Sequence, residues 1–232
     1  MQRIVKGLAY RFSSDPAVAS RQEVEAFLAV PANPVLVSFP RTGSHWLRML
    51  MERYFERPTL VRKFFYLDRD DYLIYHTHDL ELDVKRSNVI YLYRDPVDTV
   101  YSQLRYHQEG MEDRDRIAYW SDLYGRHLDK WLHQETFIRQ KTVLRYERLK
   151  ADLPAEFARV CRHLELPFAS QRLEEVAAEV SKDAVQEKTA HDSQVINLSQ
   201  GYASEREQFR AGQGSLVWEG LLAGREHLRR DF

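Results

Sequence analysis

Residues 35–47 constrain the fold of this chain more than any other segment. They read Val-Leu-Val-Ser-Phe-Pro-Arg-Thr-Gly-Ser-His-Trp-Leu. The apolar, β-branched start predicts a buried strand over residues 35–39, and Pro40 and Gly43 then mark a tight turn. From Ser44 onward the apolar residues recur at helical spacing. We therefore predict a buried strand, a short loop and a helix.

The predicted loop has the features of an anion-binding site. Free backbone N–H groups at a helix N-terminus attract anions, Gly43 lets the backbone approach the anion, and Arg41 adds a forked donor. The loop is therefore predicted to bind a phosphate or sulfate ester. A Walker A loop needs the pattern G-x-x-x-x-G-K-[ST], which Pro40 and His45 break here. ATP hydrolysis is accordingly disfavoured.

Length and composition bound the class of protein. The 232 residues suffice for a single domain over residues 1–232. A net charge of −1 gives no general attraction to nucleic acid. Cys161, the one cysteine, precludes an intramolecular disulfide and is expected in the core. With no apolar run near the ~20 residues of a transmembrane segment and no signal peptide expected, the predicted compartment is the cytoplasm.

Four short apolar runs alternate with helical patterns, which predicts an α/β fold with a mostly parallel central sheet covered on both faces. The predicted strands are residues 35–39, 72–75, 89–93 and 142–146. Each of them ends in polar or charged residues. Because ligands of open α/β sheets bind at the carboxyl ends of the strands, we expect the four ends to meet at one site.

Helix signals occupy much of the remaining chain. Asp95 and Pro96 are a strong helix start, as N-cap and first helical residue. Apolar spacing predicts further helices over residues 117–132, 153–164 and 173–180. Residues 1–32 are expected to be an N-terminal helical segment. Residues 181–215 are polar, with few apolar anchors, and are predicted to form a mobile loop or lid.

Arg94 and Ser102 form a second motif, with the arginine at a strand end and the serine eight residues later on a helix. A dianionic phosphate suits a guanidinium fork together with a hydroxyl donor. This motif and the sequence P-R-T-G-S-H-W of the first loop resemble the nucleotide-binding motifs of the PAPS-dependent sulfotransferases. PAPS is 3′-phosphoadenosine 5′-phosphosulfate. The resemblance covers roughly residues 33–218 and implies a three-layer, P-loop NTPase-like sulfotransferase fold.

The resemblance also implies which residues bind PAPS and its product PAP. The first loop would hold the 5′-phosphosulfate, Arg94 and Ser102 the 3′-phosphate, and Tyr146 the adenine. A late loop at Arg210, similar to the family's Arg-Lys-Gly but with Ala211 in place of the lysine, would close over the 3′-phosphate. The implied set is Arg41, Thr42, Gly43, Ser44, His45, Trp46, Arg94, Ser102, Tyr146, Arg210, Ala211 and Gly212.

Two histidines flank Thr77 where the family places a base in a Lys-Thr-His context. This alignment makes His78 the general base and puts His76 where the lysine stands. A neutral imidazole is suited to accept a hydroxyl proton near pH 7. It stays open whether His76 partly replaces the lysine or is itself the base, and Asp79 and Glu81 are fallback candidates.

The predicted activity is in-line transfer of a sulfuryl group from PAPS to an acceptor hydroxyl, with Arg41 neutralising charge on the leaving phosphate. No metal is required, because sulfate carries less charge than phosphate. The alternatives are a P-loop-type kinase or NTPase and a non-catalytic PAPS- or PAP-binding protein. The acceptor stays open between a small molecule and a hydroxyl of a glycan or lipid, as does the oligomeric state.

Overall fold

Four parallel strands form the central sheet of the protein, which a computed structural model describes over residues 17–134, 136–181 and 201–232. In the order β2-β1-β3-β4 across the sheet, every neighbouring pair is parallel. The strands are β1 (Val35–Ser38), β2 (Tyr75–Thr77), β3 (Asn88–Tyr93) and β4 (Gln140–Arg145). The parallel α/β sheet predicted from the sequence is confirmed, and all four carboxyl ends lie at one edge.

Helices cover both faces of this sheet. They are α1 (Arg21–Leu28), α2 (Ser44–Phe55), α3 (Pro96–His107), α4 (Arg114–His133), α5 (Tyr146–Ala151), α6 (Leu153–His163), α7 (Ser170–Glu179), α8 (Tyr202–Leu222) and a 3₁₀ helix (Glu226–Asp231). No helix among the described residues is long and apolar enough to cross a membrane.

Alternate strand residues bury opposite faces of the sheet, as the period of two requires. On β1, Val35 and Val37 pack with residues of α3, α4 and α8, whereas Leu36 packs with residues of α2, α6 and α7. Cys161 belongs to the second of these clusters and is buried, as expected. Burial raises the pKa of its thiol to about 11. The result is one three-layer arrangement around the sheet.

Several predicted boundaries were displaced by a few residues. The predicted strand over residues 72–75 forms three residues later, at Tyr75–Thr77, so that His76 lies within the strand. Tyr146 is the first residue of α5 rather than the end of β4. The predicted start of α3 is confirmed, because the Asp95 carboxylate accepts a hydrogen bond from the backbone N–H of Asp98.

The prediction of a loop over residues 181–215 was wrong for residues 202–215, which belong to helix α8. The polar composition and the few apolar anchors of this stretch suggested a loop, but Phe209, Val217 and Leu221 recur at helical spacing and are buried against α3 and α4. Tertiary packing therefore overrides local composition here. Residues 1–16 and 182–200 lie outside the described residues, so the predictions that fall on them remain predictions.

Candidate active site

The loop between β1 and α2 forms a tight turn that leads directly into a helix. Arg41 and Gly43 both have positive φ, at 69° and 94°. The Thr42 hydroxyl donates to the carbonyl of Phe39 at 2.8 Å and so closes the turn. Gly43 is the N-cap of α2 and Ser44 its first residue. The unsatisfied N–H groups of that first turn thus lie at the carboxyl edge of the sheet, where an anion can accept from them.

The aromatic ring of Tyr146 lies directly on this loop. A Cβ atom added at Gly43 would come within 2.6 Å of two Tyr146 ring carbons, so only glycine fits the position. The ring also meets Trp46 edge to face, with 6.2 Å between centroids, and the Arg94 guanidinium, 4.9 Å from its centroid. Three motifs that are distant in the chain therefore converge at one point.

Arg94 and Ser102, the predicted 3′-phosphate pair, both contact Arg41. Nη1 of Arg94 donates to the backbone carbonyl of Arg41 at 3.2 Å, and Nε of Arg41 donates to the Ser102 hydroxyl at 3.3 Å. The end of β3 is held in place because the Tyr124 hydroxyl accepts from the N–H of Arg94 and donates to its carbonyl. The structure thus brings these predicted site residues together.

Asp98 lies at the centre of a cluster of arginines beside this pair. Its carboxylate accepts from Arg94 at 3.1 Å and from Arg210 at 2.7 Å, and it lies 3.6 Å from Arg206. Burial opposes ionisation of Asp98, but the three guanidinium groups together hold its pKa below the usual value. Arg210 also donates to Asp95 at 2.8 Å. No sequence motif pointed to Arg206 or to the role of Asp98.

Ala211 and Gly212 do not share the environment of Arg210. The predicted glycine-rich loop was wrong, because both residues lie within α8 and are exposed. Successive residues of a helix point about 100° apart, so three neighbours cannot converge on one anion. A Cβ at Gly212 would meet nothing within 4 Å. The cofactor-binding role of these two residues remains a prediction without a supporting contact.

His78 follows β2 and is oriented by the backbone of β1. Its Nδ1 lies 2.8 Å from the carbonyl oxygen of Ser38. A carbonyl oxygen only accepts hydrogen bonds, so Nδ1 carries the proton and Nε2 of the neutral ring has a free lone pair. His76 is engaged differently, because its Nε2 lies 3.0 Å from the Ser38 hydroxyl and its side chain is buried within the sheet.

The histidines at this edge are neutral at physiological pH. Burial lowers the pKa of His78 to about 4, although the hydrogen bond to Ser38 partly counteracts the effect. Burial also lowers the pKa of His76 and of His45 well below the usual value. The His45 ring packs edge to face on Phe64, with 5.7 Å between centroids.

Sequence reasoning missed a buried chain of two hydrogen bonds that supports the backbone of His78. Nε2 of His127 donates to the backbone carbonyl of His78 at 3.0 Å, and the Tyr91 hydroxyl donates to Nδ1 of His127 at 2.9 Å. Burial lowers the pKa of His127 to about 3. No local pattern could reveal this contact, because the three residues come from β3, α4 and the end of β2.

The two fallback bases differ in their surroundings. Asp79 has a buried carboxylate that accepts from Lys130 at 2.6 Å, from the Trp131 indole at 2.9 Å and from the backbone of Val84. It therefore stabilises the turn after β2. Glu81 is exposed. Within the described ranges, no group of three or more His, Cys, Asp or Glu side chains is arranged to hold a metal ion.

Comparison with known proteins identifies the family to which this chain belongs. The sulfotransferase domain family matches residues 71–220, which is well over half of the chain. The chain therefore belongs to the sulfotransferase family, as its motifs indicated, and the prediction of a sulfotransferase enzyme is confirmed. No curated protein sequence matches it significantly.

Solved structures share the fold over nearly the whole chain. The crystal structure of mouse sulfotransferase SULT7A1 complexed with PAP matches with a TM-score of 0.58 at 16% identity, covering 94% of this chain and 92% of that one. Retinol dehydratase in complex with androsterone and inactive cofactor PAP matches with a TM-score of 0.51 at 13% identity, covering 87% and 84%. The P-loop NTPase-like sulfotransferase fold predicted from the motifs is confirmed.

Proposed function

We propose that this sulfotransferase uses PAPS as donor and transfers its sulfuryl group to the hydroxyl of a small-molecule, glycan or lipid acceptor, with His78 as general base. Family membership and the fold shared with two proteins crystallised with PAP support the donor. The observation that carries the proposal is the contact of 2.8 Å between Nδ1 of His78 and the carbonyl oxygen of Ser38. Because that oxygen can only accept, Nδ1 carries the proton and Nε2 keeps the lone pair that a base needs.

The residues at the carboxyl edge fit a nucleotide that carries two phosphate groups. Nε of Arg94 is buried and has no hydrogen-bond partner among the described residues, so this guanidinium has donor capacity left for a further acceptor. Arg41 and the N–H groups of the first turn of α2 would hold the 5′ end, and Arg94 with Ser102 the 3′-phosphate. The Tyr146 ring would contact the adenine.

Each step of the reaction needs a group that this edge supplies. Nε2 of His78 takes the proton of the acceptor hydroxyl, and the hydrogen bond from Nδ1 to Ser38 stabilises the imidazolium that forms. When bound, PAPS supplies the sulfuryl group, which passes to the acceptor oxygen as the bond from sulfur to the 5′-phosphate oxygen breaks. Arg41 neutralises the charge that develops on that phosphate.

His76 is the weaker candidate for the base. Its Nε2 is occupied by the Ser38 hydroxyl, and its side chain is only 7% exposed. Its burial within β2 suits a role in fixing Ser38, whose carbonyl in turn orients His78. The family's lysine has no cationic replacement at position 76, because burial keeps His76 neutral.

The proposed function is tested by incubating the protein with ³⁵S-labelled PAPS and a panel of phenols, alcohols, oligosaccharides and glycolipids. We expect the label on at least one class of hydroxyl, and loss of that product with His78→Ala. PAP binding without turnover on any acceptor would instead support a non-catalytic nucleotide-binding protein. Magnesium-dependent ATP hydrolysis without sulfuryl transfer would support a kinase or NTPase.

A further inference from the structure

Helix α8 presents two arginines to the same side. Arg206 and Arg210 are four residues apart, and residues at that spacing are neighbours on a helix surface. Both reach the Asp98 carboxylate, Arg210 at 2.7 Å and Arg206 at 3.6 Å. Ala211, which occupies the position of the family's lysine, is exposed instead. Arg206, one helical turn before Arg210, is therefore a candidate to replace the positive charge of the missing lysine.

The packing of α8 fixes the direction in which these arginines point. Phe209 is buried and its ring packs on Tyr101 of α3, with 5.4 Å between centroids. One turn earlier, Glu205 accepts from the Tyr101 hydroxyl and pairs with Arg105. Contacts on both sides of Arg206 therefore hold this part of α8 against α3, the helix that carries Asp98 and Ser102.

The arginine cluster has donors that its ion pairs leave unused. The guanidinium groups of Arg94 and Arg210 pair with the carboxylates of Asp95 and Asp98. Arg206 pairs with Glu207 at 3.0 Å and lies 3.6 Å from Asp98. Nε of Arg206, like Nε of Arg94, is buried without a hydrogen-bond partner in the part of the chain that the structure describes. An anion with several oxygens could accept from both Nε groups, because phosphate accepts from guanidinium groups in charge-assisted hydrogen bonds.

We propose that Arg206 and Arg210 form a cationic pair on α8 that binds the 3′-phosphate of PAPS and PAP, with Arg206 in place of the lysine absent at position 211. Asp98 holds the pair beside Arg94 and Ser102. This inference rests on the proposed function and adds a binding residue that the sequence motif does not contain.

The test compares two nucleotides that differ only in the 3′-phosphate. Dissociation constants for PAP and for adenosine 5′-phosphate are measured by titration calorimetry. We expect Arg206→Gln to weaken PAP binding about 10-fold to 100-fold, the range for a lost charge-assisted hydrogen bond, and to leave adenosine 5′-phosphate binding unchanged. Arg206→Lys, which keeps the charge, should lose less. Arg21→Gln, the same change at an exposed ion pair on α1, should alter neither constant.

A second variant tests the orientation of the helix. Ala211→Lys restores the family's lysine, but at an exposed position, so we expect no gain in PAP affinity. Tighter PAP binding by Ala211→Lys would overturn the inference, as would an Arg206→Gln variant that binds PAP normally or loses both nucleotides equally. Melting temperatures of each variant identify loss of affinity through unfolding.

The outcome separates this inference from the proposed function. If the unmodified protein binds PAP no better than adenosine 5′-phosphate, recognition of the 3′-phosphate is absent, and the donor assignment fails together with the inference. If it prefers PAP, and Arg94→Gln abolishes that preference while Arg206→Gln does not, the donor assignment stands and only the role of Arg206 is overturned.

Discussion

At the scale of single residues, the site depends on which ring nitrogens of its histidines have no hydrogen-bond partner. Ser38 contacts both histidines, with its carbonyl on Nδ1 of His78 and its hydroxyl on Nε2 of His76. The two rings, 4.7 Å apart, are chemically distinct for that reason. A base needs a free lone pair within reach of the substrate proton. The Ser38 hydroxyl contacts Nε2 of His76, whereas Ser38 contacts His78 at Nδ1 and not at Nε2.

Replacement of the proposed base should separate catalysis from nucleotide binding. We expect His78→Ala to lower kcat about 10²-fold to 10⁴-fold, the range for one positioned base, with PAP affinity unchanged by calorimetry. His76→Ala is the matched control and should cost less. Near-normal turnover by His78→Ala together with an inactive His76→Ala would assign the base to His76.

The contact between Gly43 and Tyr146 predicts a non-additive pair of substitutions. Gly43→Ala places a methyl group against the Tyr146 ring and also forces alanine into a left-handed conformation. The conformation alone costs about 1–2 kcal/mol. In urea unfolding, we expect Gly43→Ala to cost more than this in the wild-type background, and only about 1–2 kcal/mol when Tyr146→Ala has removed the ring. Equal costs in both backgrounds would show that the ring does not lie on Gly43.

At the scale of elements, α4 and α8 approach each other through glycines. A Cβ at Gly125 of α4 would lie 2.4 Å from the backbone carbonyl oxygen of Leu221, and one at Gly220 would lie 2.9 Å from Cβ of Ser121. This close approach buries Leu221 and Val217 beneath α4. Gly220, which follows the stretch predicted to be a loop, is therefore required by the packing of α8 as a helix.

The glycines of these two helices should respond to alanine in opposite directions. We expect Gly212→Ala to stabilise the protein by about 0.5–1 kcal/mol, because alanine favours the helix and the added methyl group meets open space. Gly125→Ala should destabilise it by about 1–3 kcal/mol through overpacking. Chemical denaturation of both variants measures the difference. A destabilising Gly212→Ala would argue against a helix at this position.

At the scale of the whole molecule, buried neutral histidines couple stability to pH. Burial lowers the pKa of His163 to about 4 and that of His127 to about 3, against 6.5 for an ordinary histidine. Below pH 6.5 the unfolded chain binds protons that the folded chain does not, so the stability of the fold decreases as the pH falls. The loss should develop between pH 6.5 and about 4.

His163→Gln tests this coupling away from the active site. His163 lies on α6, where its Nδ1 is 3.0 Å from the Thr142 hydroxyl. We expect the free energy of unfolding to fall less between pH 8 and pH 5 in the variant than in the wild type, by about 1–2 kcal/mol. The comparison at pH 8, where the ring is neutral in both states, isolates the packing cost. An unchanged pH dependence would show that His163 has the same pKa in the folded and unfolded protein.

The sequence by itself determined the features that rest on neighbouring residues. The strand, turn and helix of residues 35–55 and the capped start of α3 at Asp95 and Pro96 follow from local apolar spacing and from backbone preferences. The parallel sheet also followed, because buried apolar strands separated by helices pair in that way. So did the position of the site, since the carboxyl ends of parallel strands share one edge.

Only the tertiary structure decided how the side chains of distant elements meet. Residues 202–215 are polar and rich in glycine, yet packing of α8 on α3 and α4 makes them helical and turns Ala211 to solvent. The proton of His78 is placed by a carbonyl on another strand, and Arg206 reaches Asp98 from more than 100 positions along the chain. Such contacts depend on the relative orientation of packed elements, which local patterns do not encode.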